Sequence, residues 1–332
     1  MIKVAINGFG RIGRLAFRQI VTSTDFDIVA INDLGTAEEL AYLAKYDTVH
    51  RSFHEDLIGY SNNEIIINNT KKIRVYNEQN PEDLPWKELG IELVLECTGR
   101  FTKKEDAYKH IKAGAKKVLI SAPSKSDDIK TIVYGVNENI LNGDEEIVSS
   151  ASCTTNCLAP VAKVLSDNIG IEKGNMTTIH AYTNDQASLD ISHRKGIYSR
   201  RGRACASNIV PTATGAASAI GKVIPELDGK LEGVAYRVPV ADGSLVELTF
   251  IAKKNTTIDE VNSILANNQS EVMKLTNDPI VSSDVIGKKV GSLVDGLSTT
   301  VNGNLVKVVA WYDNEYGYTA QMLRTALSMF KK

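Results

Sequence analysis

A glycine-rich turn near the start of the chain constrains the fold more than any other feature. The pattern G-x-G-x-x-G at residues 8–13 follows the apolar run IKVAIN, a predicted strand, and opens RIGRLAFRQI, whose apolar residues recur at helical spacing. Gly8 would permit a tight turn, Gly10 would let the backbone approach a pyrophosphate, and Gly13 would let the helix pack closely on the sheet. The amide groups and positive dipole end at the start of this helix would favour phosphate. The first domain is therefore predicted to have a Rossmann-type α/β dinucleotide-binding fold.

An acidic residue completes this motif. Asp33 lies twenty residues beyond Gly13, at the end of the next predicted strand, DIVAIND. Its carboxylate can accept hydrogen bonds from ribose hydroxyls, and its charge would repel a 2′-phosphate. We therefore expect NAD rather than NADP as the cofactor. A strand–turn–helix without a ligand is the alternative, and the strand, the spacing and the acid together argue against it.

Composition narrows the class of protein. The chain has 332 residues, enough for two domains, and a formal net charge of −2, which gives no electrostatic footprint for nucleic acid or an anionic membrane. No apolar run is long enough to span a bilayer, and the N-terminal residues lack the core of a signal peptide. Four scattered cysteines do not form a disulfide framework, so a cytoplasmic protein with free thiols is expected.

The hydrophobic pattern changes near the middle of the chain. Before it, apolar runs such as LVLECTG, KVLISAP and TIVYGVN alternate with helical stretches, which predicts a parallel sheet covered by helices. After it, longer strands and an Asn302-Gly303 hairpin signal predict an α+β domain with a mostly antiparallel sheet. We place the dinucleotide-binding domain at 1–151 and the catalytic domain at 152–315. Extra strands are expected between about 47 and 85.

The segment SASCTTNC holds the strongest candidate for a nucleophile. A zinc site needs about four ligands with paired spacings, and no second pair accompanies Cys153 and Cys157, so no metal is expected. Cys157 fits a buried structural thiol on the helix CTTNCLAPVAKVL. Cys153 instead lies where a strand ends and the helix begins, with Ser152 as a plausible N-cap. The helix N-terminus would stabilise its thiolate.

A nucleophilic thiol also needs a base. Of the five histidines, four are predicted to lie in polar, exposed surroundings (His50, His54, His110 and His193), and His180 lies in the predicted strand MTTIHAYTND. A single histidine in a strand is usually a hydrogen-bonded core residue, so composition alone does not select His180.

Six sequence blocks together resemble one enzyme family. NGFGRIGR, SASCTTNCLAP, HAYTNDQ, PTATGAA, RVP and WYDNEYGY occur in this order over essentially the whole chain. They resemble phosphorylating glyceraldehyde-3-phosphate dehydrogenases. The resemblance implies that Cys153 is the nucleophile and that His180 activates it and then acts as acid and base. The implied reaction forms a thiohemiacetal and then a thioester on Cys153, and inorganic phosphate cleaves the thioester to an acyl phosphate.

The same resemblance implies two anion sites and a set of cofactor contacts. Thr183 and Arg237 would hold the phosphate of glyceraldehyde 3-phosphate, and Arg203 would lie between the two sites. Inorganic phosphate would contact Ser152, Thr154, Thr214 and Gly215. Besides the glycines and Asp33, NAD would contact Arg11, Ile12, Gln79, Thr98, Gly99, Ser121 and Asn314.

The resemblance also has consequences for assembly. In the family the segment 183–211 crosses to a neighbouring subunit's cofactor site, and the C-terminal helix, here 316–332, returns to the first domain. A homotetramer is therefore expected.

Two departures from the family pattern stand out. Gln79 replaces an arginine that family members often carry beside the adenine, which matters little if that contact is made by the backbone. Ile191-Ser192 replaces the Leu-Pro of NAD-specific members, and a serine here is similar to plastid enzymes that accept NADP. Asp33 opposes this signal, because a carboxylate facing a phosphate is costly. The alternatives are an erythrose-4-phosphate dehydrogenase, which uses water in place of phosphate, and a secondary binding role on the same fold.

Overall fold

The computed structural model of the chain describes residues 1–331 and divides into two compact units. The first unit contains residues 1–132 and 138–151 and the chain from Met322 onward. The second contains 133–137 and 152–321. Among the described residues, no helix is long and apolar enough to cross a membrane.

The first unit is built on an eight-stranded sheet in the order β3-β4-β5-β2-β1-β6-β7-β8. Its strands are β1 (Ile2–Asn7), β2 (Phe26–Asn32), β3 (Ile58–Ser61), β4 (Glu64–Ile67), β5 (Lys71–Tyr76), β6 (Leu93–Glu96), β7 (Lys117–Ile120) and β8 (Ile147–Ser149). Across the sheet, every neighbouring pair from β5 through β2, β1, β6 and β7 to β8 is parallel. At the other edge, β3 pairs antiparallel with β4, and β4 pairs antiparallel with β5. This edge supplies the extra strands expected between 47 and 85.

Four helices complete the first unit: α1 (Arg11–Val21), α2 (Ala37–Lys45), α3 (Trp86–Leu89) and α4 (Lys104–Lys112). Helix α1 buries Leu15, Ala16 and Ile20 on one face, as their spacing predicts. A capping box starts α2, because Thr36 Oγ1 accepts from the Glu39 amide while the Glu39 carboxylate accepts from the Thr36 amide. The parallel sheet and these helices form the Rossmann-type fold that the glycine pattern predicts.

One predicted strand is wrong. In TIVYGVN only Thr131 bridges to the sheet, and the rest of the segment turns. The Val133 amide donates to Asn137 Oδ1 at 2.8 Å, and Gly135 has a φ of +81°. A side-chain hydrogen bond and a left-handed glycine thus convert an apolar run into a turn.

The second unit contains a seven-stranded sheet in the order β10-β11-β9-β12-β15-β14-β13. The strands are β9 (Ile171–Ala181), β10 (Val210–Ala213), β11 (Leu231–Val238), β12 (Ser244–Ala252), β13 (Met273–Thr276), β14 (Ser292–Asn302) and β15 (Leu305–Tyr312). The sheet is mixed, because β9 pairs with β11 and β13 with β14 in parallel, while the other four neighbouring pairs are antiparallel. The predicted hairpin at Asn302-Gly303 joins β14 to β15.

Helices α5 (Cys153–Ile169), α6 (Ala216–Val223) and α7 (Ile258–Asn267) pack in this second unit. The last helix, α8 (Tyr316–Ser328), passes from the second unit into the first. Its later part buries Met322, Leu323 and Ala326 in the first unit's core, with Met329 just beyond the helix. Lys332, which the predicted C-terminal helix includes, lies outside the described residues.

Candidate active site

The glycine turn of the first unit has the geometry that a bound pyrophosphate needs. Gly8 has a φ of +92°, and a Cβ at Gly13 would lie 2.0 Å from the Gly8 carbonyl oxygen, so neither position accepts a side chain. A Cβ at Gly10 would meet no protein atom within 4 Å. The turn therefore packs tightly against the protein on one side and leaves open space at Gly10, where the N-terminus of α1 begins.

Beside this turn lies a cavity of about 290 Å³. Five of the predicted cofactor residues line it: Gly8, Gly10, Asp33, Gln79 and Thr98. The Asp33 carboxylate accepts from the Phe9 amide at 2.6 Å and from the Gly35 amide at 3.1 Å, which holds it at the end of β2. A fixed carboxylate, an open glycine and a helix N-terminus around one cavity fit a dinucleotide.

The other predicted cofactor residues differ in their placement. The Arg11 side chain forms an ion pair with Asp47, so only its backbone at the start of α1 is offered to a phosphate. Ile12 packs against the first unit's core.

Two further predicted cofactor residues lie in loops of the first unit. Gly99 has a φ of +68°, and the Ser121 amide donates to the Glu96 carbonyl at 3.0 Å. Asn314 belongs to the second unit, where its Oδ1 accepts from Ser244 Oγ at 2.6 Å.

The second unit brings Cys153 and His180 together. Ser152 caps α5 by accepting from the Thr155 amide at 3.1 Å, so Cys153 is the first residue of the helix. Its Sγ lies 3.4 Å from Nε2 of His180, near the end of β9. The contact joins residues 27 positions apart, and only the return of β9 past α5 creates it.

Hydrogen bonding fixes the tautomer of His180. Nδ1 lies 2.7 Å from the Ala181 carbonyl oxygen, which can only accept, so Nδ1 carries the proton and Nε2 directs its lone pair at the sulfur. The ring is 2% exposed and packs edge-to-face on Tyr312, with ring centroids 5.9 Å apart. Burial, together with the charge of Arg237, lowers the pKa of His180 to about 3, so the resting imidazole is a neutral acceptor.

The electrostatics of Cys153 differ from the sequence-based expectation. Burial raises the pKa of the Cys153 thiol, and this outweighs the opposing effects of the Arg237 charge and of the backbone amides at the start of α5. Burial also raises the pKa of Cys157 and of Cys97 to about 12, and neither of these thiols has a histidine against it. The resting pair is therefore a neutral thiol facing a neutral base, and Cys153 is distinguished by its partner.

Buried polar groups surround this pair. Thr154 Oγ1 and Tyr312 OH lie 2.9 Å apart, and Tyr312 OH also lies 2.9 Å from Thr178 Oγ1. Because Thr178 donates its proton to the Leu245 carbonyl at 2.9 Å, Tyr312 donates to Thr178 and Thr154 donates to Tyr312. Sequence reasoning did not select Tyr312, although it lies in the WYDNE block.

A cluster of cationic side chains lies beside His180. Arg237, on β11, pairs in register with His180 and donates through Nη1 to the Ala181 carbonyl at 3.1 Å and to Thr183 Oγ1 at 3.0 Å. Its Nε is buried and has no hydrogen-bond partner within residues 1–331. An unpaired guanidinium N–H with positive charge around it suits an anion.

The arginine that joins this cluster is Arg201 rather than Arg203. Arg201 forms an ion pair with Asp185, which also accepts from Thr183 Oγ1, and its charge lowers the pKa of both His180 and Arg237. The Arg203 side chain is 64% exposed and forms its ion pair with Asp190 on the surface. Arg201 is the middle residue of a short 3₁₀ turn at Arg200–Gly202, and Arg203 directly follows this turn, a difference that sequence spacing alone does not resolve.

The remaining predicted phosphate contacts lie at the start of α6. Thr214 Oγ1 accepts from the Ala216 amide at 3.2 Å, and Gly215 occupies the N-cap position. Across the described chain, no hydrogen bond joins either residue to Cys153 or His180.

The first unit has a dinucleotide cleft, and the second has a cysteine–histidine pair next to partly buried arginines. Together they are typical of a nucleotide-dependent oxidoreductase. Residues 2–104 match the family model described as glyceraldehyde 3-phosphate dehydrogenase, NAD binding domain, and residues 152–314 match the one described as the C-terminal domain. The chain belongs to the glyceraldehyde-3-phosphate dehydrogenase family, which confirms the resemblance and the expectation of NAD as the cofactor.

Full-length relatives agree with this assignment. The chain is 55% identical to glyceraldehyde-3-phosphate dehydrogenase of Clostridium pasteurianum and 54% identical to that of Clostridium acetobutylicum. It is 52% identical to the enzyme of Streptococcus pyogenes. Each comparison covers 100% of this chain and 99% of the relative.

Proposed function

We propose that this chain oxidises D-glyceraldehyde 3-phosphate to 1,3-bisphosphoglycerate with NAD and inorganic phosphate. The observation that carries the proposal is the 3.4 Å contact between Cys153 Sγ and the unprotonated Nε2 of His180, beside the unpaired Nε of Arg237. A nucleophile, its base and an anion site within one cluster suit a phosphorylated aldehyde.

The first step forms a bond between Cys153 and the aldehyde. Nε2 of His180 accepts the thiol proton as the sulfur attacks the carbonyl carbon. The same nitrogen then gives that proton to the carbonyl oxygen, which yields a neutral thiohemiacetal. The neutral resting pair makes this a concerted activation, since no ion pair has to persist in the buried site.

The second step oxidises the adduct. Bound NAD supplies the hydride acceptor. Nε2 of His180 takes the hydroxyl proton as the carbon loses its hydride, and the product is a thioester on Cys153. The bond from Nδ1 to the Ala181 carbonyl keeps Nε2 aimed at the reacting atoms and offsets part of the cost of charging the ring.

The third step transfers the acyl group. An oxygen of hydrogen phosphate attacks the thioester carbon, the carbon–sulfur bond breaks, and the proton of that phosphate passes to the leaving sulfur, which becomes the Cys153 thiol again. The proton that His180 gained during oxidation returns to solvent, so the cycle releases one acyl phosphate and one proton.

We assign the substrate phosphate to Arg237 and Thr183, which already share a hydrogen bond at 3.0 Å. Arg201 takes the place between the two anion sites that the sequence assigns to Arg203, because Arg201 joins the cluster around His180. Inorganic phosphate is assigned to Ser152, Thr154, Thr214 and Gly215 as in the sequence analysis.

The two domains have different roles in this proposal. Residues 1–151, with the returning C-terminal helix, serve as the NAD-binding domain, and 152–315 serve as the catalytic domain with its largely antiparallel sheet. The cofactor contacts of the first domain include Arg11 through its backbone, and Asn314 contributes from the second. The four free thiols suit a cytoplasmic location.

A homotetramer is part of this proposal. The segment 183–211 exposes Leu189 (76%), Ile197 (79%) and Tyr198 (96%), a concentration of apolar surface that a monomer in water rarely shows. A second copy of the chain is the partner that the family resemblance implies. Sedimentation at several concentrations would test this, and a single 36.2 kDa species throughout would contradict it.

The function is tested by following NAD reduction with glyceraldehyde 3-phosphate, with and without inorganic phosphate. We expect sustained turnover only when phosphate is present, and none in Cys153→Ser. Phosphate-independent turnover, fastest with erythrose 4-phosphate, would contradict the proposal and favour the water-using alternative.

A further inference from the structure

A buried polar network lies behind the nucleotide cleft of the first unit and has no role in the chemistry above. Its members come from three strands and two helices, and each is at most 5% exposed: Asn7, Asn32, Trp86, Glu96 and His110. Buried polar groups cost stability unless they are all hydrogen-bonded. Here the direction of every bond can be assigned.

Trp86 fixes which group donates and which accepts in the hydrogen bonds of His110. Its indole Nε1–H lies 3.0 Å from His110 Nδ1, and an indole nitrogen can only donate. Nδ1 of His110 is therefore an acceptor, and the ring proton lies on Nε2. Nε2 in turn donates to Glu96 Oε2 at 3.0 Å.

The Glu96 side chain accepts hydrogen bonds from several members of the network. Asn7 Nδ2 donates to the same Oε2 at 2.5 Å, which explains why this nitrogen and His110 Nε2 lie only 3.3 Å apart. The other oxygen, Oε1, accepts from the Thr98 amide at 2.8 Å and from the Thr98 hydroxyl. Since all four of these groups, from three residues, donate, the Glu96 carboxyl group serves only as an acceptor.

One branch of the network ends at the lining of the cleft. Asn7 Oδ1 accepts from Asn32 Nδ2 at 2.7 Å. Asn32 then clamps the backbone of Glu78, donating to its carbonyl at 2.9 Å and accepting from its amide at 2.8 Å. Glu78 lines the cavity together with Asn7 and Asn32.

The other branch ends under the glycine turn. A Cβ at Gly8 would lie 2.7 Å from the Thr98 nitrogen, so this turn rests directly on the backbone that Glu96 holds. Any shift of Thr98 would move the turn where the pyrophosphate is expected.

We propose that Trp86 and His110 are positioning residues for the dinucleotide, acting through Glu96 on the Asn32–Glu78 clamp and on the Thr98 support of the glycine turn. Neither residue lines the cavity. The pair keeps one proton on His110 Nε2, aimed at Glu96, and so keeps the carboxylate oriented toward both branches. This inference rests on NAD binding, which the proposed function includes.

The test measures NAD binding by isothermal titration calorimetry. His110→Leu removes the donor to Glu96 and should weaken NAD binding at least tenfold, which is about 1.4 kcal/mol. His110→Gln places an amide N–H near the position of Nε2 and should stay within about threefold of the wild type. Trp86→Phe keeps the buried ring but frees Nδ1, and should weaken NAD binding roughly threefold to fivefold. Lys112→Leu, on the exposed side of the same helix, should change nothing.

A positioning role also predicts what stays constant. The KM for the phosphorylated aldehyde at saturating NAD, and the rate of Cys153 alkylation without NAD, should match the wild type in all variants. Equal weakening in His110→Gln and His110→Leu, or unchanged binding in both His110→Leu and Trp86→Phe, would overturn the positioning role alone. If His110→Leu does not fold, Trp86→Phe and His110→Gln decide. Wild-type protein that binds no NAD would overturn this inference and the proposed function together.

Discussion

The assignment of Arg201 in place of Arg203 leads to a comparison of two nearly adjacent arginines. Arg201 is 13% exposed and pairs with Asp185 beside Thr183, whereas Arg203 is 64% exposed and pairs with Asp190. A hydrogen bond to a charged group contributes about 1.5–3 kcal/mol, whereas an exposed ion pair contributes about 0–1 kcal/mol. Arg201→Leu should therefore lower kcat/KM for glyceraldehyde 3-phosphate roughly tenfold to 150-fold. Arg203→Leu should lower it less than about threefold.

The assay is initial NAD reduction at saturating NAD and phosphate, with the aldehyde varied. Because Arg201→Leu leaves the partly buried charge of Asp185 without its partner, thermal unfolding of both variants must be measured alongside. Arg201→Lys, which keeps the charge but loses the planar fork, should recover part of the activity. Equal losses in the two Leu variants, or a larger loss in Arg203→Leu, would refute the assignment and restore the one made from sequence.

Three further predictions follow from the sites. Cys153 should react with iodoacetamide before Cys157, because Cys157 is fully buried and its thiol has a pKa of about 12. If peptide mapping finds Cys157 modified first, with activity lost, the choice of nucleophile is reversed. His180 has a pKa of about 3 in the folded protein against an ordinary value of 6.5, so the unfolded chain binds the extra proton between these values. Between pH 6.5 and 5, the free energy of unfolding measured in urea should fall by about 1.7 kcal/mol more in the wild type than in His180→Asn. Parallel curves for the two proteins would contradict this. Asp33→Gly should raise kcat/KM for NADP and lower it for NAD, and Ser192→Pro should reduce only residual NADP use; wild-type protein that prefers NADP would refute both.

Much of the nucleotide cleft could be predicted because its parts are close in sequence. A strand, a glycine turn and a helix follow one another within residues 2–21, and Asp33 ends the next strand. The close contact at Gly13 is with the Gly8 carbonyl oxygen, so the spacing of these glycines carries that information. The close contact at Gly8 is with Thr98, which the spacing does not show. The mixed pairing of the second sheet was less accessible, because the parallel partners of β9 and β14 depend on crossovers that no local pattern encodes.

The sequence by itself determined the family, through six blocks in a fixed order, and the dinucleotide turn, through glycines at short, defined spacings. Cys153 and His180 are predicted as nucleophile and base only through the family resemblance. Only the tertiary structure decided which arginine joins His180, that Tyr312 accepts a hydrogen bond from Thr154, and that His110 is buried, although the polar sequence around it predicted exposure. It also decided the charge of the resting pair: a helix N-terminus favours a thiolate, but the burial that opposes it comes from side chains far away in the chain. Burial and long-range charge are sums over all neighbours in space, and a linear sequence specifies those neighbours only through the completed fold.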